Sequence, residues 1–294
     1  MLSIVICSID VERLRTLKEN IRLTVGVPYE IIAIDNSIDP RGITSVYNQG
    51  AKEATFENLL FVHEDVKFNT QDWGKLLVDN LSQKNVGLVG IAGCAYKTRF
   101  PTGWISHGLE YRLIKINLIQ HYKYEKKESL HAFQRIGEEK LARVACVDGV
   151  FLATKKKVVE EFPFDESLKG FHGYDIDFAI AVNQKYEVYV TFEVLVEHFS
   201  EGTLNSEWIE STFYINQKWA DQLPLNPLNL IKREMAICEK HTFRTILKFF
   251  SQHVPIGRMY GVLKISALKQ LDYATYLKMY FSLAKAYLSK QEKS

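Results

Sequence analysis

The segment Phe61-Val62-His63-Glu64-Asp65-Val66 runs from apolar, partly β-branched residues straight into a histidine and two acids. Its apolar start has the make-up of a buried strand. Carboxylates at the end of such a strand are costly unless they meet a partner or open onto a cleft. In an open α/β sheet the carboxyl ends of the strands form that cleft, and ligands bind there. One reading of this edge is a divalent metal bound by Asp65, with His63 or Glu64 beside it, holding a pyrophosphate. The other is an acidic strand-to-loop cap with no ligand.

Strand and helix patterns alternate around this segment. Leu2 to Ile9 is a continuous apolar run, as in a parallel strand covered on both faces. Asp10 stands at a helix N-cap position before Val11 to Leu23, where Leu14, Leu17 and Ile21 fall at helical spacing. Glu30 to Ile34 repeats the strand pattern and stops at Asp35-Asn36-Ser37. Asp35 suits accepting from a uracil or thymine N–H or a ribose hydroxyl, and equally suits opening a turn. Ser45 to Ala54 reads as a helix whose small residues Gly50, Ala51 and Ala54 permit close approach to a sheet, with Asn48 facing a nucleotide or bracing a loop. Asp72 to Leu81 reads as an amphipathic helix, Val86 to Gly93 as a glycine-broken strand and Val188 to Val196 as a later strand. The alternation predicts an α/β fold with a doubly wound sheet flanked by helices and right-handed connections.

Composition narrows the function. The 294 residues, 47% hydrophobic and 24% charged, suit a soluble globular chain of one large or two small domains. A net charge of +2 argues against bulk nucleic-acid binding, but the charge is uneven: 12 Lys/Arg face 4 Asp/Glu from Asn229 onward, and 25 face 31 before it. Cys7, Cys94, Cys146 and Cys238 form no CxxC pair, so neither a zinc site nor a disulfide framework is expected, and a reducing cytoplasm is. Met1 to Cys7 reads as a first strand and not as a signal peptide. No apolar run reaches the ~20 residues that span a bilayer, so membrane contact would be peripheral. After Pro224-Leu225-Asn226-Pro227 the chain reads as helical, over Leu228 to Phe250 and Val262 to Leu288. These basic amphipathic helices suit an anionic membrane surface, packing on the main domain or a homodimer contact.

Taken in order and spacing, Leu2 to Ile9, Asp35-Asn36-Ser37, Asn48-Gln49-Gly50 and His63-Glu64-Asp65 resemble the nucleotide-sugar half of family 2 glycosyltransferases of the GT-A fold. The likeness continues through Val147 to Lys156, Phe162-Pro163-Phe164-Asp165-Glu166 and Val196-Glu197-His198-Phe199. Gly173-Tyr174-Asp175-Ile176-Asp177-Phe178 is similar to the family's Glu-Asp-x-Asp-Leu motif. The resemblance covers about residues 1–200 and not the tail; with the boundary at Pro224 to Pro227 it implies a GT-A catalytic domain over residues 1–227, followed by a helical region over 228–294.

What the resemblance implies is a metal-dependent, inverting transfer of sugar from a UDP- or dTDP-linked donor to a hydroxyl of a glycan or lipid-linked acceptor. Surface polysaccharide biosynthesis, in the cytoplasm or at the inner face of the membrane, is the implied setting. Asp65, His63 and His198 would bind Mn²⁺ or Mg²⁺, the mixed oxygen and nitrogen donors leaning toward Mn²⁺. Ser8, Asp35, Asn48 and Glu64 would contact the donor. Asp175 would act as catalytic base, with Asp177 as its alternate. Both acids also suit a helix N-terminus, where the dipole favours them. Between Lys97 and Arg143 the likeness fades; Trp104, His107, Tyr111, His121, Tyr122, Tyr124 and the run Glu125-Lys126-Lys127-Glu128 suit a variable loop serving as acceptor platform or merely solvated. Two residues depart from the family pattern: His63 replaces the first acid of its Asp-x-Asp, and Tyr174 the Glu of its Glu-Asp. These departures leave room for a non-catalytic nucleotide-sugar or glycan-binding relative, and the tail for a membrane-docked scaffold. A nucleotidyltransferase is disfavoured, because no glycine-rich basic loop follows the first strand.

Overall fold

The computed structural model describes residues 1–123 and 127–291, so Tyr124, Glu125 and Lys126 of the expected loop and the last three residues of the helical region lie outside the described residues. The chain opens with β1 (Leu2–Ser8), α1 (Val11–Thr24), β2 (Tyr29–Asp35), α2 (Ile43–Glu53) and β3 (Asn58–His63). Asp10 caps α1 as expected, its carboxylate accepting from the amides of Glu12 and Arg13. Parallel pairing of β1 with β2 and β3 sets Ser8 opposite Asp35 and Cys7 opposite His63, so three strands end on one edge. On α2, Gly50 lies flat against β1: a Cβ there would run into Val5 Cγ1.

The next elements are β4 (Val66–Phe68), α3 (Trp73–Ser82), β5 (Val86–Gly90) and β6 (Ala92–Cys94). The expected single strand Val86 to Gly93 is thus two, separated at Ile91 and assigned to different sheets. The expected variable loop holds α4 (Glu110–Leu113), β7 (Ile114–Gln120), β8 (Leu130–Gln134) and the start of β9 (Leu141–Val144). Its strand pattern is masked because Lys115 and Asn117 on β7 are buried polar residues, Asn117 donating to the carbonyl of Phe192. Then come β10 (Cys146–Val147), β11 (Phe151–Lys155), α5 (Lys156–Glu161), α6 (Tyr174–Val182), β12 (Glu187–Thr191) and β13 (Val196–His198). Here too one expected strand, Val188 to Val196, divides between two sheets.

The main sheet has seven strands in the order β2-β1-β3-β11-β5-β12-β9, parallel except where β11 and β9 run against their neighbours. The second follows β10-β6-β7-β13-β4, with β8 beside β7. Its β13 lies between β7 and β4 and so delivers His198 beside the exit of β3. The chain ends in α7 (Ser206–Lys218), α8 (Lys232–His253), α9 (Ile256–Ile265), α10 (Leu268–Leu271) and α11 (Tyr273–Gln291). Phe243, Phe250, Met259, Met279 and Leu283 of these helices form a separate core with Phe100 and Ile209. Glu239 of α8 is fully buried in that contact and accepts from the Tyr96 hydroxyl and the Arg99 amide. Among the described residues no helix is long and apolar enough to cross a membrane.

The contact of α2 with β1 makes a direct prediction. Gly50→Ala forces a methyl group into Val5 and should lower stability by about 1–3 kcal/mol, read as a lower urea midpoint at unchanged slope.

Candidate active site

His63 closes β3, Glu64 and Asp65 form the short exit to β4, and His198 closes β13. Ligand atoms of His63, Asp65 and His198 lie within 4.8 Å of one another, a donor group able to hold a metal ion. His198 Nε2 is 3.6 Å from Asp65 Oδ1, and Arg13 on α1 reaches Asp65 Oδ2 at 3.9 Å. Burial pushes the Asp65 carboxyl up, but His198, the Ser200 hydroxyl, His63 and Arg13 outweigh it and hold it below its usual range. Burial, then the neighbouring His198, keeps the His63 imidazole below its ordinary value. A carboxylate and a neutral imidazole are the protonation states a metal requires.

His63 and His198 open into a cavity of about 580 Å³ whose wall also includes Asp148, Tyr174 and Asp175. Asp175 lies in the first turn of α6. Burial, then the charge of Asp148, pushes its carboxyl up to about 7. Asp148 is itself fixed, accepting from Trp104 Nε1 at 2.7 Å and the Val150 amide at 3.0 Å. Facing these acids are Trp208 of α7 and Ile246, Phe249 and Phe250 of α8.

The remaining expected site residues are hydrogen-bonded within the protein. Ser8 Oγ donates to Glu64 Oε2 at 2.7 Å, and the amides of Ile9 and Asp10 donate to the same oxygen, so Glu64 pins the turn after β1. Asn48 accepts from the Phe164 amide and donates to the Phe164 carbonyl and Glu166, which is the bracing arrangement. Asp35 is exposed at the end of β2 and accepts from the amide and hydroxyl of Ser37. Asp177 is turned away from the cavity, accepting from Lys218 Nζ at 2.9 Å and Trp219 Nε1 at 2.7 Å. Of the two acids on α6, the structure therefore brings only Asp175 to the histidines. Asp148 was not singled out beforehand, although Val147-Asp148-Gly149 again ends an apolar stretch in an acid. Nothing in the local sequence of α8 announces that it walls this cavity.

A family model described as "Glycosyltransferase like family" matches residues 3–217. The chain belongs to this family. The fold of this glycosyltransferase is that of solved GT-A enzymes, at identities too low to carry more than the fold. Residues 1–349 of S. aureus TarS, solved with UDP, share 11% identity at a TM-score of 0.57, the match covering 100% of this chain and 92% of that one. GalNAc-T7, solved with UDP, GalNAc and Mn²⁺, shares 11% identity at a TM-score of 0.54, covering 92% of this chain and 55% of that one. The chain thus spans about half of the GalNAc-T7 chain. No curated protein matches the sequence.

Were Asp175, with its carboxyl pushed up to about 7, to serve as a base, it would work only once ionised, and turnover should then rise with pH through about 7 and level off above it. Stability should move the other way. A carboxyl whose folded value is raised favours the fold while protonated, and that contribution is lost as pH climbs through about 7. Asp175→Asn is therefore expected to cost about 10²–10⁴-fold in rate, to leave Tm unchanged at acid pH, and to raise it in alkaline buffer.

Proposed function

We propose that this glycosyltransferase moves a sugar from a UDP- or dTDP-linked donor onto a hydroxyl of a glycan or lipid-linked acceptor, in a metal-dependent, inverting reaction. The observation that carries the reading is that His63, His198 and Asp175, from β3, β13 and α6, line one cavity. TarS, which shares the fold, was solved with UDP and with UDP-GlcNAc, the latter a donor of the class proposed here. His63, Asp65 and His198 would hold the cation. A divalent ion there supplies charge to stabilise the departing pyrophosphate, and Mn²⁺ suits the two nitrogens better than Mg²⁺.

Asp175 takes the proton of the acceptor hydroxyl as it attacks the anomeric carbon from the side opposite the nucleotide, which inverts that centre. Asp148, oriented by Trp104, keeps a negative charge close by and so raises the proton affinity of the base. Trp208, Ile246, Phe249 and Phe250 exclude water from the acceptor side, limiting loss of the sugar to hydrolysis. We take residues 1–227 as the catalytic domain and 228–294 as a helical region that completes this wall.

The same helical region supports work at the cytoplasmic face of a membrane, in surface polysaccharide synthesis. On α11, Tyr273, Leu277, Phe281 and Leu288 fall on one face and are 58%, 43%, 77% and 62% exposed. Lys278 and Lys285 are exposed on the same helix. An apolar stripe with basic neighbours fits an anionic lipid surface.

Two measurements test these readings. UDP with Mn²⁺ at ~100 times its dissociation constant should stabilise the fold by ~2.7 kcal/mol in a thermal melt, and EDTA should cancel the effect. The absence of any shift with UDP, dTDP or other nucleoside diphosphates would remove the donor assignment. Separately, Phe281→Asp should reduce co-sedimentation with vesicles containing phosphatidylglycerol by about an order of magnitude and leave UDP binding alone. Equal sedimentation of the two proteins would remove the membrane assignment.

A further inference from the structure

The two residues that depart from the family's acidic motifs are bonded to each other. His63 and Tyr174 stand 111 residues apart, and His63 Nε2 lies 2.7 Å from the Tyr174 hydroxyl oxygen. That hydroxyl is also 3.0 Å from the carbonyl oxygen of Gly149, a group that can only accept. A phenol has one proton. With that proton given to Gly149, the oxygen accepts from His63, whose Nε2 must then carry the hydrogen. The lone pair left on the ring is at Nδ1. Gly149 is part of the same fitting, since a Cβ there would overlap the Tyr174 hydroxyl.

His198 is fixed by the same logic from the other side. Its Nδ1 is 3.2 Å from Gln120 Oε1. The Gln120 amide nitrogen is already committed to the carbonyls of His121 and Ser200, 2.7 Å from each, which leaves Oε1 as the acceptor. The nitrogen of His198 left with a lone pair is therefore Nε2, 3.6 Å from Asp65 Oδ1 and 3.5 Å from the Ser200 hydroxyl oxygen, a group that can donate to it.

We propose that Tyr174 is a positioning residue for the metal centre, holding His63 as its Nε2–H tautomer so that Nδ1 joins His198 Nε2 and Asp65 in a two-nitrogen, one-carboxylate donor set selective for Mn²⁺ over Mg²⁺. This rests on the metal-dependent reading above. Outer hydrogen bonds of this kind fix ligand orientation and basicity, and their loss costs about 10–100-fold in metal affinity. Mg²⁺ is a hard ion that keeps its waters and demands near-ideal octahedral oxygen ligation, whereas Mn²⁺, though also at home with oxygen, is a first-row transition ion that gains more from imidazole nitrogen. On this account the two departures are a matched replacement: the histidine supplies the ligand and the tyrosine aims it.

The test is calorimetric titration of the full chain with MnCl₂ and with MgCl₂ in the presence of UDP, for the wild type and Tyr174→Phe. The expected result is Mn²⁺ binding tighter than Mg²⁺ in the wild type, weakened about 10–100-fold by Tyr174→Phe with a much smaller loss for Mg²⁺. Nitrogen shifts of ¹⁵N-histidine-labelled wild-type protein, which need no variant to fold, should report His63 as the Nε2–H tautomer. Mn²⁺ binding that Tyr174→Phe leaves unchanged, or an Nδ1–H tautomer at His63, overturns the positioning role while the metal reading stands. Failure of the wild type to bind Mn²⁺ at all overturns both.

Discussion

A carboxylate set below a protein surface has to be answered by donors or cations. Most of the acids around the strand edge are answered. Glu64 meets a hydroxyl and two amides, Asp177 meets Lys218 and Trp219, and Asp65 meets His198 and Arg13. Asp175 meets backbone amides, those of Ile176 and Gly149 among them, but is buried with a second acid, Asp148, for a neighbour. The division of labour at the site follows from this uneven supply. Glu64 and Asp177 hold a turn and a helix in place, and the acid buried beside another acid keeps its demand for a proton.

The strands and helices of the first hundred residues were legible because each has a single dominant signal, an apolar run or a helical period closed by a polar residue. The acids and amides at the edge were legible as a group but not one by one. Glu64, Asn48 and Asp177 are polar residues in the right places, yet their partners lie 56, 116 and 41 residues away. A bracing role and a binding role call for the same residue type, and only the arrival of the distant partner separates them. The two strands that switch sheets failed for a different reason. An apolar stretch carries no mark of which sheet each half joins, so Val86 to Gly93 and Val188 to Val196 read as single strands. On β7 the inward face carries Lys115 and Asn117, which hides the alternation that would have revealed a strand.

The second sheet is what turns an edge of strand ends into a site. Without β13 the exit of β3 would present His63 and Asp65 alone; with it, His198 arrives across a ladder set by β4 and β7. Trp104, from the segment joining β6 to β7 of that sheet, reaches across to hold Asp148. The part of the chain where the family likeness fades thus fixes the acid that lies beside Asp175.

The wall that α8 contributes has a consequence for how the protein comes into being. The histidines, the acids and Trp104 are all encoded before residue 200, whereas Phe249 and Phe250 come near the end of α8. During synthesis the reactive groups leave the ribosome first, and their enclosure is finished only when α8 has emerged and docked through the buried Glu239. A chain that stops short of α8 would carry the histidines and acids without the chamber that encloses them, so its groups would stand open to water.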